Sequence, residues 1–265
     1  MTKRVSRKSI ARLVCFASIF CLVLGVTGFT IPSAAKFPQS ISMLDTTDES
    51  TNKAHLITVD GMINPVVQRY VTHALKKASE EESDLIILTL NTPGGLFTST
   101  RKIVGELLMA PVPTVVYVTP PGSRAASAGT FITAAANFAV MAPGTNIGSA
   151  TPIAATGKDL ESTLASKATN DAAALIRSIA KQRDRNVEEL ERTVREATSF
   201  DAREAMELGV IDFIAKDIND LLKKLDGRMV STVKGPHIID VDGLVIETIS
   251  MSLIDRFFNI LADAF

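Results

Sequence analysis

Three short segments hold groups that could do covalent chemistry together: Pro93-Gly94-Gly95, Ser127-Ala128-Gly129, and Lys167. Adjacent glycines at a strand end can turn backbone N–H groups toward a substrate carbonyl. A serine near a helix start can serve as nucleophile, and a lysine held neutral can take its proton. Together these are the parts of a serine hydrolase that uses lysine where others use histidine, and peptide cleavage is the reaction they suit. Each segment also has an ordinary reading. Pro-Gly-Gly punctuates many turns, Ser123 or Ser127 can merely cap a helix, and Asp171, one turn on, can hold Lys167 charged. Local pattern alone leaves the choice open.

The elements that must position these residues read as α/β. Residues 84–90 form a near-continuous apolar run of strand length, stopped by Asn91-Thr92-Pro93-Gly94-Gly95. A second strand over 114–119 ends at Pro120-Pro121-Gly122, and residues 123–130 lead into an alanine-rich helix that Ser127 opens. Residues 56–60 and 138–141 read as further strands, and Asn64-Pro65 as cap and first residue of a helix to about Ala78. Residues 148–157 read as a rim of the cleft. Helices are expected over 172–181 and 187–197, then a short one over 201–208 closed by Gly209, with 210–214 returning as a strand. Arg228-Met229-Val230 and residues 238–245 read as strands or a hairpin outside the main sheet. Residues 251–262 place apolar side chains at helical spacing, a face that can dock on the domain, pair with another chain or lie on a membrane.

Histidine is a poor candidate for the base. His55 starts a strand, His73 lies on a helical run and His237 falls in the late segment, where structural roles suffice. Lys167 sits among small, mostly uncharged residues, whereas Lys76-Lys77 and Lys223-Lys224 are pairs that look solvated. A lysine base must be shielded from water to be neutral at working pH. No histidine-cysteine cluster or phosphate-cradling loop calls for a metal or organic cofactor.

The ends differ from the middle. Lys3, Arg4, Arg7, Lys8 and Arg12 precede an apolar stretch from Leu13 to about Ile31, and Ser33-Ala34-Ala35 offers small residues for cleavage after Ala35. This is the pattern of an export signal, or of a signal anchor if uncut. Both cysteines, Cys15 and Cys21, lie inside it, so a cleaved product has neither disulfide nor thiol nucleophile. Removing the five leader cations leaves 28 − 5 = 23 basic against 29 acidic residues, a net charge of −6 that gives no support for nucleic-acid binding. The expected organisation is a leader over 1–35, a linker over 36–54, a protease-like domain over 55–226 and a β-rich appendage with an amphipathic tail over 227–265.

From about His55 to Leu225 the chain resembles the N-terminal protease domain of NfeD-type membrane proteins, partners of bacterial and archaeal stomatins. The matching stretches are Asn91 to Gly95, Tyr117 to Thr130, Met141 to Gly148, Lys167 to Asp171 and Glu204 to Asp212, in order and spacing. The resemblance implies a Clp protease/crotonase-like core of stacked ββα units. It implies Ser127 as nucleophile, Lys167 as base forty residues later, and the Gly94, Gly95 and Ala128 backbone as oxyanion donors. Clp proteases carry a histidine on the strand after the serine's helix; residues 147–152 contain none, which favours the lysine branch. Further implications are cleavage of apolar peptide segments of a stomatin-like protein, membrane association on the extracytoplasmic side, and a homodimer or larger assembly. A non-catalytic scaffold binding a stomatin-type partner is the alternative. An acyl-thioester enzyme of the same fold fits less well, lacking an acidic pair near the glycine loop.

Overall fold

The two longest apolar runs become the centre of a parallel sheet, because strands buried on both faces need no polar alternation. The computed structural model describes residues 52–153 and 162–263. The leader, its cleavage point, most of the linker and the later part of the cleft rim lie outside the described residues. In chain order the elements are β1 (Lys53–Asp60), α1 (Pro65–Glu80), β2 (Leu85–Asn91), α2 (Phe97–Leu108), β3 (Thr114–Val118), β4 (Arg124–Ala126), α3 (Ala128–Ala135), β5 (Phe138–Met141) and β6 (Asn146–Gly148). They continue with α4 (Ser162–Gln182), α5 (Val187–Arg195), β7 (Ser199–Asp201), α6 (Ala202–Glu207), β8 (Phe213–Ile214), α7 (Ile218–Leu225), β9 (Met229–Thr232), β10 (Gly235–Ile238), β11 (Val245–Thr248) and α8 (Leu253–Asp263).

The main sheet runs β11-β1-β2-β3-β5-β8, with every neighbouring pair parallel. Side chains alternate across it and build a core on each face. Ile57, Val59, Ile86, Leu88, Val116 and Val118 pack beneath residues of α1 to α5. Leu85, Ile87, Val115, Tyr117 and Val140 pack on the other face with Leu221 and Leu225 of α7. A smaller sheet, β4-β6-β7, pairs β4 parallel to β6 and β6 antiparallel to β7. An isolated bridge between Thr92 and Ala125 ties it to the end of β2.

The structure departs from the sequence expectations in three places that have local causes. Helix α4 begins at Ser162, ten residues before the expected start, because its first turns carry no buried residue and hence no apolar period. Val210 and Ile211 do not extend β8: both N–H groups bond to the Ala205 carbonyl, at 2.8 and 3.1 Å, and close α6 instead. The late segment divides. β9 and β10 form an antiparallel hairpin outside the main sheet, but its second strand is Gly235–Ile238, residues 239–244 of the expected 238–245 strand are loop and turn, and β11 joins the main sheet as an edge strand parallel to β1.

Candidate active site

The site grows from the carboxyl ends of β1 and β2, where an open α/β sheet leaves its loops free to bind. After Asn91 the chain makes a tight turn around the buried Thr92, whose Oγ1 accepts the Gly94 N–H at 3.1 Å and donates to the Gly94 carbonyl at 3.0 Å. That carbonyl also accepts the Ile63 N–H at 2.8 Å, and the Leu96 N–H donates to the Ile63 carbonyl at 2.8 Å. Gly95, bridged to Ile63 between these two bonds, keeps its own N–H outside the pairing. Both glycines are obligatory. A Cβ on Gly95 would stand 2.2 Å from the Ile63 carbonyl oxygen, and one on Gly94 would stand 2.9 Å from Cβ and 3.3 Å from Oγ of Ser127. Both also adopt positive φ, 131° and 156°.

Ser127 sits between β4 and α3 with φ 49° and ψ −110°, a backbone conformation costing about 1–3 kcal/mol for a non-glycine residue. The surroundings hold it there. Its N–H donates to the Gly148 carbonyl at 2.9 Å, its carbonyl accepts the Thr130 N–H at 3.0 Å, and Thr130 Oγ1 bonds the Ala125 and Gly148 carbonyls. The Ser127 side chain makes no capping bond, so the hydroxyl is not turned back onto the helix and stands instead near Gly94. Ala128 is the first residue of α3, and its N–H has no intrahelical acceptor. Gly129 lets this turn approach the glycine loop: a Cβ there would stand 2.7 Å from Thr92 Cγ2.

The five residues expected to form the site are therefore placed unevenly. Gly94 and Ser127 are in direct apposition, with Gly95 and Ala128 beside them. The Gly94 N–H is already satisfied by Thr92, whereas the amides of Gly95 and Ala128 have no acceptor among the described residues. Lys167 lies on α4, which packs on α3, but in the overhanging turns that precede the first buried residue, Ala172. Its side chain is exposed. Asp171 does not pair with it; it pairs with Arg101 of α2 at 2.5 Å.

That ion pair belongs to a chain of contacts that sequence reading missed. The Arg101 guanidinium lies 5.0 Å from the centroid of Phe97, which meets Phe131 of α3 edge to face at 5.6 Å. Arg195 of α5 adds a bond to Asn170 Oδ1 at 3.0 Å. The helix after Ser127 and the overhang bearing Lys167 are thus braced through α2 and α5. No spacing rule connects Arg101 to Asp171, seventy residues apart, so no sequence signal could have found the pair.

The histidines stand apart from this end of the sheet. His55 is fully buried early in β1, with Nδ1 2.7 Å from Ser83 Oγ, and burial holds its basicity below the ordinary value. His73 lies on the exposed side of α1, and His237 lies on the β10 hairpin strand. His55, Glu81 and Glu247 bring potential metal-ligand atoms within 4.8 Å of one another. Lys53 and Lys77 already contact both carboxylates, so the cluster is a self-neutralised ion-pair node. A separate open cavity of about 530 Å³, lined by Ser123, Arg124, Asn146 and Asp201 among others, lies at the opposite end of the small sheet from Ser127.

The parallel α/β core has the ClpP-like fold. ClpP1 from Listeria monocytogenes shares that fold at a TM-score of 0.52 and 20% identity, covering 63% of this chain and 94% of that one. Residues 53–233 match the family model described as the N-terminal domain of NfeD1b. The chain belongs to this family. It is 31% identical over 217 residues to the membrane-bound protease PH1510 of Pyrococcus horikoshii, covering 80% of this chain and 49% of that protein. It is 32% identical over 96 residues to the membrane protein NfeD1b of Bacillus subtilis, covering 36% of this chain and 21% of that protein. The chain thus spans half the length or less of these relatives.

Among solved structures it resembles the 1510-N membrane-bound stomatin-specific protease in a lysine-to-alanine mutant complexed with a substrate peptide. That match has a TM-score of 0.74 and 28% identity, covering 81% of this chain and 99% of the other. A serine-to-alanine mutant of 1510-N matches at a TM-score of 0.70 and 30% identity, covering 77% of this chain and all of that one.

Proposed function

We propose that the chain is a serine endopeptidase with Ser127 as nucleophile and Lys167 as general base. The observation that carries this reading is the strained Ser127, whose hydroxyl is left uncapped and stands beside Gly94. Lys167 takes the Ser127 proton as the Oγ attacks a scissile carbonyl, and the resulting oxyanion lies between the Gly95 and Ala128 N–H groups. The protonated lysine gives its proton to the leaving amine, and water activated by the same lysine releases the acyl group. A peptide laid along the glycine turn is what takes the exposed Lys167 out of water, so the base is completed by substrate or by a second protomer.

By analogy with the stomatin-specific relative, the substrate is an apolar segment of a stomatin-like membrane protein. The domain acts as a membrane-associated homodimer or larger assembly on the extracytoplasmic side. The test is incubation of the full chain with an apolar peptide library and a stomatin-like C-terminal peptide, read by mass spectrometry. Ser127→Ala and Lys167→Ala each abolish cleavage with folding intact. Undiminished cleavage by either variant contradicts the assignment, and no cleavage by the unaltered chain points to the scaffold reading.

A further inference from the structure

Helix α8 is amphipathic in the inverse of the usual sense. At 3.6 residues per turn, Asp255, Asn259 and Arg256 share one side, while Leu253, Ile254, Phe257, Phe258, Ile260 and Leu261 share the other. The polar side is the one that docks. Asp255 accepts from Arg69 at 3.3 Å, and Asn64, the cap of α1, donates to Asn259 at 2.8 Å. The apolar side faces outward, with Leu253 82%, Ile260 68% and Phe257 60% exposed. Water disfavours such an arrangement, since a surface helix ordinarily turns its apolar stripe to the core.

Shape and charge indicate what covers it. A single helix side is convex and offers no groove to grip an extended peptide. On the outer sides of α1 and α8, Asp255 pairs with Arg69 and Glu80 with Lys76, while Arg256 is in no ion pair among the described residues. His73 lies on the same side of α1. Arg256, the one basic residue of α8, therefore stands beside the stripe where it can meet a negatively charged surface. The chain also carries its own apolar stretch, residues 13–31, joined by twenty residues to Asn52. Such a connector reaches up to about 65–70 Å. It enters at the sheet edge that leads into α8, where the Val245 N–H bonds the Asn52 carbonyl at 2.8 Å.

We infer that the outward side of α8 lies in the interface of an anionic lipid bilayer, holding the α1–α8 flank of the domain against the membrane. This rests on the membrane-associated part of the proposed function and not on its chemistry. The chain has no tryptophan, so Phe257→Trp creates a single reporter, and Met229→Trp on the hairpin at the opposite face of the sheet serves as control. Each full-length variant is reconstituted in phosphatidylcholine vesicles with and without phosphatidylserine, with brominated lipid as quencher. The apolar leader is common to both, so their difference reports α8.

The expected result is a blue-shifted emission for Phe257→Trp, with quenching roughly twofold or more above that of Met229→Trp and greater with phosphatidylserine. Equal quenching in the two variants, or quenching indifferent to phosphatidylserine, overturns the inference. So does a blue shift that follows protein concentration without lipid, which assigns the stripe to a second copy, or one that appears only with added apolar peptide. Peptide cleavage by the same variants separates this outcome from failure of the protease reading.

Discussion

Ser127 is the residue where local preference and native geometry conflict most openly. A serine at a helix start ordinarily folds its hydroxyl back on the first N–H groups, yet here the φ of 49° turns it away and leaves it 3.3 Å from the space a Gly94 Cβ would occupy. Gly94→Ala should therefore lower kcat/KM by about 10²-fold, since a displacement near 1 Å at the reacting atom is enough for that. Peptide hydrolysis alongside a melting curve checks it, and a variant with full activity contradicts the apposition.

Arg101 makes a second residue-scale prediction. An exposed ion pair contributes about 0–1 kcal/mol to stability, so Arg101→Asp should hardly move the melting temperature. If it aims the overhang bearing Lys167, however, kcat should fall about tenfold with KM little changed. The charge-swapped double variant, Arg101→Asp with Asp171→Arg, should recover most of that loss. Failure of the swap to recover activity removes the bracing role. These two positions also show what sequence could not disclose. Gly94-Gly95 and Ser127 were legible because glycine pairs and helix-opening serines are local signals. The Arg101–Asp171 pair depends on α2 meeting α4, which only the folded chain arranges.

Among the elements, long apolar runs announced themselves and short or shared ones did not. β2 and β3 were readable from continuous burial, and the Asn64-Pro65 start of α1 from capping chemistry, with Asn64 Oδ1 accepting from Val66 and Val67. β11 was not, because a four-residue edge strand gains its place from its partner and from a charge node. Glu247 of β11 is held down to about pKa 2, chiefly by the Lys53 hydrogen bond and then that of Lys77, beside the buried His55.

The pH dependence of stability follows from those directions. A carboxylate with a depressed folded-state pKa stabilises above its unfolded value of about 4.5, and that contribution is lost as pH falls from there toward about 2. His55, kept neutral by burial, likewise stabilises above its unfolded value of about 6.5 and disfavours folding as pH drops below it. Urea midpoints should decline from about pH 6.5 downward and steepen below about pH 4.5. Glu247→Gln should remove the lower part of that slope. An unchanged slope in the variant contradicts the role of Glu247 in latching β11.

For the whole molecule, the parallel sheet explains why the candidate site gathers at one end. The glycine turn lies at the carboxyl end of β2, the strained serine reaches it through the small sheet bridged at Thr92, and the histidines are kept elsewhere by the same topology. Among the described residues no helix is long and apolar enough to cross a membrane, so the contact argued for α8 is one of surface and not of span. The family places this scaffold among membrane proteins, while the proposed chemistry rests on two side chains, Ser127, strained and half-buried, and Lys167, exposed on α4.

That dependence can be read in a single labelling reaction. An apolar peptide phosphonate mimics the tetrahedral intermediate and bonds covalently to an activated serine, so the full chain is treated with it, digested, and mapped by tandem mass spectrometry. One adduct on Ser127, absent or greatly slowed in Lys167→Ala, is the result expected. Labelling at another serine, or labelling of Ser127 at an undiminished rate without Lys167, would contradict the Ser-Lys account.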